Sequence, residues 1–448
     1  MIGLISDAVT QRGNVEPVYG QACAGTPPVN LLDLDLFRQG PPFAAFAQMR
    51  SASPLMWHHG SEERMDASGF WAVTGYDAVT EISRNTEIFS SQRGGIHILL
   101  APPGTENPMP ALLDASLNNM ICMDGDIHSS LRREHAPFFT PEAVTELKLK
   151  VDAEIDRLLD EMEAAGPEVD FVEMFSSQLP LFTLSEILGI PAEDRHKLVR
   201  WMHYLEIVSY VTTAGLDSVD VTIDEAFIQA TQENLAEMFE YGQKTLHSRR
   251  ENSAGDLLSA IAWAELQDSL LSDNYLNGSW LLIVFAGNDT TRNTLSGTLD
   301  LLTRHPGQRA RLTADLEGTL DGMVDESLRY ISPVQHMRRT ATRDAEVAGQ
   351  RIAEGEKVVM WYAAANRDPA VFKNPEQWDI TRGNADKHVA FGFGRHKCIG
   401  HRVARMQLQS AYRKILRRFP NIEICGEMDI APNNFVYAIR KLPVRLNA

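Results

Sequence analysis

A chain of 448 residues, 44% hydrophobic and 23% charged, has enough apolar material for a large buried core and reads as an ordinary globular protein. Its formal net charge of −18 argues against nucleic acid as a general partner. Four scattered cysteines (Cys23, Cys122, Cys398 and Cys425) form no CxxC pair, which argues against a zinc ribbon, a dithiol redox centre or a disulfide framework.

In chain order, the N-terminal MIGLISDAVTQRGNVEPVYG has no basic region and no long apolar run, so neither a leader peptide nor a membrane anchor is expected. The longest apolar run, Trp280 to Ala286, is far shorter than the about 20 residues that span a bilayer. A soluble, cytoplasmic monomer is the expectation. SGFWAV at 68–73 reads as a strand, and 90–120 as a long irregular connection of the kind that is usually functional or mobile. Helical spacing marks 141–165, 192–210, 222–250 and 274–304, the last stopped by Pro306. Strand-like stretches follow at 346–360 and 435–446. Between them runs a helix from about Arg402 to Phe419, striped by Ala404, Leu408, Ala411, Ile415 and Phe419. With no repeat, linker or low-complexity tract, 1–30 reads as a tail and 31–448 as one large, mainly α domain with small β-sheets.

Four stretches carry chemistry. His128 and Arg132 share a helix face at i, i+4, a spacing that suits a carboxylate or phosphate, although a solvated face explains it as well. In AGNDTTRN (286–293) an acid and an alcohol, Asp289 and Thr290, follow an all-round apolar helix segment beside Gly287. Either the helix emerges into solvent at Asn288, or the pair sits in a pocket and passes protons. Gly287 and a mid-helix Thr bonding its own i−4 carbonyl would widen or bend the helix. Glu326 and Arg329 at i, i+3 can pair, which says little alone. Finally, FGFGRHKCIG (391–400) uses three glycines to present Cys398, either as a buried structural cysteine or as a thiolate on a metal. The surrounding window, 387–422, has nine Lys or Arg and no Asp or Glu, which suits a solvated basic face or a docking face for an acidic protein.

Taken in order, His128-x-x-x-Arg132, Ala286-Gly287-x-Asp289-Thr290-Thr291, Glu326-x-x-Arg329 and Phe391-Gly392-x-Gly394-x-His396-x-Cys398-x-Gly400 resemble the cytochrome P450 superfamily of haem-thiolate monooxygenases, over essentially the whole chain. RRTATRD (338–344), ANRDP (365–369) and NPEQWDITR (374–382) fit too, with Trp378 where the family usually has phenylalanine. Gly125-Asp126 departs from the two prolines of many bacterial members. The resemblance implies a single-domain P450 fold with a β-rich N-terminal part and a haem b cofactor. Cys398 is then the proximal iron ligand with Phe391 beside it, and His128, Arg132, Arg339 and His396 neutralise the propionates. Glu326, Arg329 and Arg382 form a structural triad. Asp289 and Thr290 deliver protons to bound dioxygen.

A bacterial-type monooxygenase hydroxylating an unactivated C–H bond is implied, with electrons from NAD(P)H through a reductase and a [2Fe–2S] ferredoxin. Arg133, Arg395, Lys397, Arg402 and Arg405 would form the ferredoxin face. The pocket is expected from 90–120, 181–215, Ile283–Thr290, Val334–Met337 and Phe435–Val436. These are mostly apolar, so a lipophilic substrate (terpenoid, alkane, fatty acid or steroid-like) is expected. A peroxide-driven peroxygenase, or a non-catalytic haem or zinc protein using His396 and Cys398, are the rivals.

Overall fold

The computed structural model describes residues 27–60, 68–98, 110–214, 224–266 and 269–447. Its principal helices are α1 (Gly125–His135), α2 (Pro141–Ala165), α3 (Gln178–Leu188), α4 (Arg195–Ala214), α5 (Glu225–Glu251), α6 (Asp273–Ala286), α7 (Asp289–Arg304), α8 (Leu316–Ile331) and α9 (His401–Arg418). Local chemistry accounts for their limits. In α2, Thr140 caps the Ala143 N–H at 3.3 Å, Pro141 opens the first turn, and Gly166 ends it at φ +125°. Its buried face, including Val151, Ile155, Leu158 and Met162, joins α7, α8 and α9 in the largest core. A second core gathers Trp201, Met238 and Trp280 from α4, α5 and α6.

The helix expected over 274–304 is two helices. They part at Gly287–Asn288, where the Thr290 hydroxyl donates to the Ala286 carbonyl at 3.3 Å and relieves it of an amide partner. Thr294 and Thr298 repeat the hydroxyl-to-carbonyl bond one and two turns on, both at 2.7 Å. The helix does not emerge into solvent at Asn288, since Asn288, Asp289, Thr291 and Arg292 are all buried.

The main sheet has five strands in the order β1 (Leu55–His58), β2 (Phe70–Val73), β5 (Lys357–Trp361), β4 (His336–Ala341), β3 (Phe89–Ser90). Only β2 and β5 run parallel. Of the sheet's three inner strands, β2 comes from the N-terminal part and β4 and β5 from the second half of the chain. The connection expected at 90–120 includes a helix at Pro110–Leu117 and a 3₁₀ turn at Met120–Cys122; residues 99–109 of that reading lie outside the described residues. No helix among the described residues is long and apolar enough to cross a membrane.

Behind the sheet, Glu326 is fully buried and accepts from two arginines. Arg329 grips both its carboxylate oxygens at 2.7 and 2.8 Å, Arg382 approaches at 3.0 and 3.1 Å, and the Asp379 N–H adds a bond at 2.9 Å. The guanidiniums spend their other donors on backbone carbonyls: Asn366, Pro375 and Gln377 for Arg329, and Lys373, Asn374 and Gln377 for Arg382. Replacing Glu326 by Gln strands two buried cations and should lower the unfolding free energy by about 3–5 kcal/mol. Urea denaturation measures this, and an unchanged midpoint would mean that the cluster is not part of the fold's foundation.

Candidate active site

The loop carrying Cys398 is shaped by two glycines. Gly392 and Gly394 both sit at φ +68°, and a Cβ on Gly394 would come within 2.5 Å of the Ser83 carbonyl oxygen. Gly400 has an ordinary φ of −82°, and a Cβ there would project to 3.9 Å from the Cys398 sulfur. The loop closes through the Cys398 N–H to the Phe391 carbonyl at 2.8 Å. Burial pushes the Cys398 thiol up, while the Gly400 N–H aimed at the sulfur, Arg132 and Lys397 all favour the thiolate. The sulfur is deep in the protein, and its exposure is to an internal cavity.

That cavity measures ≈ 280 Å³. Gly287, Thr290, Thr291 and Thr294 line it from the α6–α7 junction, and Cys398 and Gly400 from the cysteine loop. Leu184, Ile187, Leu282, Ile283, Val334 and Met337 give it apolar walls. Of the wall expected from 181–215, the described residues that line the cavity come from α3; the side chains of 209–214 and residue 215 lie outside the description. Phe435 and Val436 are not in the wall; they pack with Ile96 and Cys122 in a small core behind Val334 and Met337.

His128, Arg132, Arg339 and His396, far apart in sequence, all border this cavity. The His128 and His396 rings lie 4.1 Å apart. Burial and the neighbouring guanidiniums depress both imidazoles, to about 4 for His128 and about 2 for His396. Arg132 donates to the Lys397 carbonyl at 2.6 Å and Arg339 to the Arg338 carbonyl at 2.7 Å. Asp124, the acid facing His396, stays 4.0 Å away and is engaged by Ser90, Ser91 and Gln92. Four donors with one preoccupied acid fit a multiply anionic group. Together with the cysteine sulfur and the room that a Cβ on Gly400 would fill, they fit a haem held by its propionates and its iron.

Asp289 and Thr290 part company. Thr290 faces the cavity, whereas Asp289 turns away to Asn288 (3.2 Å) and Arg292 (3.3 Å). Arg292 in turn pairs with Glu206 on α4. Arg292 was visible in AGNDTTRN at i+3 from Asp289; Glu206 had no signal, because the contact joins distant helices.

The basic window is less basic than it reads. Arg413 and Arg417 bind Glu317, Lys414 binds Asp156, and Arg418 binds Asp160 and Glu163. Arg405, expected on the docking face, pairs with Asp325 at 2.6 Å and is a half-buried partner of its own chain. Arg133, Arg395, Lys397 and Arg402 are exposed, and Arg133 and Arg395 share a surface depression with His128 and Arg132.

The Cytochrome P450 family profile matches residues 117–443. Linalool 8-monooxygenase of Pseudomonas putida is 32% identical over 424 residues, covering 93% of this chain and 98% of the relative. Methyl-branched lipid omega-hydroxylase of Mycobacterium tuberculosis is 32% identical over 406 residues, covering 89% and 90%. Among solved structures, Mycobacterium marinum cytochrome P450 CYP268A2 in complex with pseudoionone superposes with a TM-score of 0.82 at 32% identity, covering 97% of this chain and all of that one. With its ordered motifs, its cavity over a buried cysteine and these relatives, the chain belongs to the cytochrome P450 family and is one of its monooxygenases.

Proposed function

We propose that this chain hydroxylates a C–H bond of a lipophilic, uncharged small molecule, with electrons from NAD(P)H relayed by a reductase and a [2Fe–2S] ferredoxin. The observation that carries the reading is one cavity bordered on one side by the Cys398 sulfur and on another by the Thr290 hydroxyl, with apolar walls between. When bound, haem b supplies the activation of O₂ and the transfer of one oxygen atom to carbon.

The chain's own residues do the rest. Cys398 would hold the haem iron through its sulfur, and the Gly400 N–H would temper its charge. His128, Arg132, Arg339 and His396 would hold the propionates. Leu184, Ile283, Val334 and Met337 exclude water and orient an apolar substrate by shape alone. The relatives' names point to linalool, methyl-branched lipids and pseudoionone as the kind of molecule to test first. Thr290 holds a proton donor at the cavity, and Asp289, buried behind it, governs proton entry. This acid–alcohol pair favours a ferredoxin-fed monooxygenase over a peroxygenase. A zinc protein is disfavoured: among the described residues, no group of three or more His, Cys, Asp or Glu converges on a metal site.

Replacing Cys398 by His should retain haem but give the reduced carbon monoxide complex the absorption band of imidazole ligation, with hydroxylation lost. A retained thiolate-type band would remove Cys398 from the ligand role.

Thr290→Ala should leave substrate affinity and NADH consumption near normal while the product-to-NADH ratio falls and hydrogen peroxide accounts for the difference. An unchanged ratio would reduce Thr290 to the residue that breaks the helix.

Four exposed cations beside the cysteine loop (Arg133, Arg395, Lys397 and Arg402) form the docking face for an acidic ferredoxin. Charge reversal at Arg395 and Arg402 should slow reduction by ferredoxin and flatten its salt dependence, with substrate-induced spectral shifts intact. A reduction rate indifferent to both charge and salt would move docking elsewhere.

A further inference from the structure

A buried acid, Asp289, and a half-buried one, Glu206, share one guanidinium where α4 meets α7. Glu206 accepts from Arg292, and Arg292 Nη2 lies 3.3 Å from Asp289 Oδ1. Both carboxyls reach for the same guanidinium, and two ionised carboxylates, both pure acceptors, can bond each other only with a proton between them. The charge count says the same: one buried cation balances one buried anion, and the second acid is better off neutral. Burial raises the Glu206 carboxyl above the usual carboxylate range; Arg292 opposes the rise and Asp289 adds to it. Among the described residues these two, both on α7, are the charged groups acting on Glu206. One turn earlier on α4, His203 is exposed and lies against Tyr204. Accessibility is graded across the cluster, with side-chain exposure of 18% at Glu206 and 8% at Asp289.

We propose that Glu206 is the outer proton-holding residue of this site, keeping one proton between itself and Asp289 and passing it inward. The Glu206 O–H bond breaks as the Asp289 O–H bond forms; Asp289 later loses that proton toward Thr290, and Glu206 regains one from water at its exposed edge. Arg292 is the positioning residue, fixing both carboxyls without exchanging a proton. The inference rests on the assignment of Asp289 and Thr290 as the proton-delivery pair, and it adds a residue that no sequence motif marks.

The test compares Glu206→Gln and Glu206→Asp with the wild-type holoenzyme in two readouts. In turnover, Glu206→Gln should slow NADH consumption roughly tenfold. The solvent isotope effect should rise, with the product-to-NADH ratio and substrate affinity kept, and Glu206→Asp should restore most of the rate. In stability, a folded-state pKa raised above the unfolded value means that stability present at low pH is lost as pH climbs through the folded pKa. Gln cannot lose that proton, so Tm of Glu206→Gln minus wild type should increase from about pH 5 to about pH 9. An ordinary ion pair, with Glu206 ionised throughout, predicts a flat difference over that range and would overturn the proposal, as would an unmoved rate and isotope effect. If Glu206→Gln does not hold haem, the infrared carbonyl stretch of a protonated carboxyl in the wild type at neutral pH decides: its shift in Glu206→Asp supports the assignment, and its absence from the wild type overturns it. Failure of the underlying Asp289–Thr290 reading would show separately, as an unchanged product ratio in Thr290→Ala.

Discussion

Glu326, held between two arginines without access to water, is the constraint on which the rest of this structure depends. Burying three charges is costly, and the cost is offset only because nearly every donor finds an acceptor. Those acceptors are the carbonyls of 366–377, a segment with little regular structure of its own, which the two guanidiniums fasten to α8. Asn366 extends the tie, donating to the Ser332 hydroxyl at 2.8 Å and accepting from the Val389 N–H at 2.7 Å. Val389 begins the turn that presents Cys398. The thiol is thus positioned from behind by an ionic cluster, and the loop keeps the freedom to place its sulfur at a cavity.

The opposite wall obeys a different constraint. The run over 273–304 breaks at Gly287–Asn288, and the residues around the break line the cavity opposite the cysteine. Hydroxyls hold the backbone there: Thr290, Thr294 and Thr298 each serve a carbonyl four residues back. The same break separates two chemistries. Thr290 looks into an apolar cavity, and the charges of Asp289, Arg292 and Glu206 stay behind it, so a lipophile can approach without desolvating an ion.

Charge distribution follows the packing. A chain of net charge −18 carries nine cations and no acid between residues 387 and 422, yet α9 lies against α2 and α8, whose acids neutralise its C-terminal half. What remains free is a small cationic area beside the cysteine loop, close to the Arg132 end of the cavity.

Local and periodic features were legible in the residues alone. Gly392 and Gly394 announced a tightly bent backbone of the kind glycine favours, the apolar stripes announced helices, and four short motifs in fixed order announced the family. Each is a property of neighbours within about one turn, where sequence spacing and spatial spacing are nearly the same thing. Contacts between elements were not legible. The pairing of Arg405 with Asp325, the withdrawal of Phe435 from the cavity, the split of the 274–304 helix and the arrival of Glu206 beside Asp289 depend on how helices distant in the chain are stacked. The sequence by itself determined which residues can do chemistry. Only the tertiary structure decided which of them share a cavity and which are neutralised by their own fold, because solvation and charge pairing are set by the atoms that close around a side chain and not by those adjacent to it in the chain.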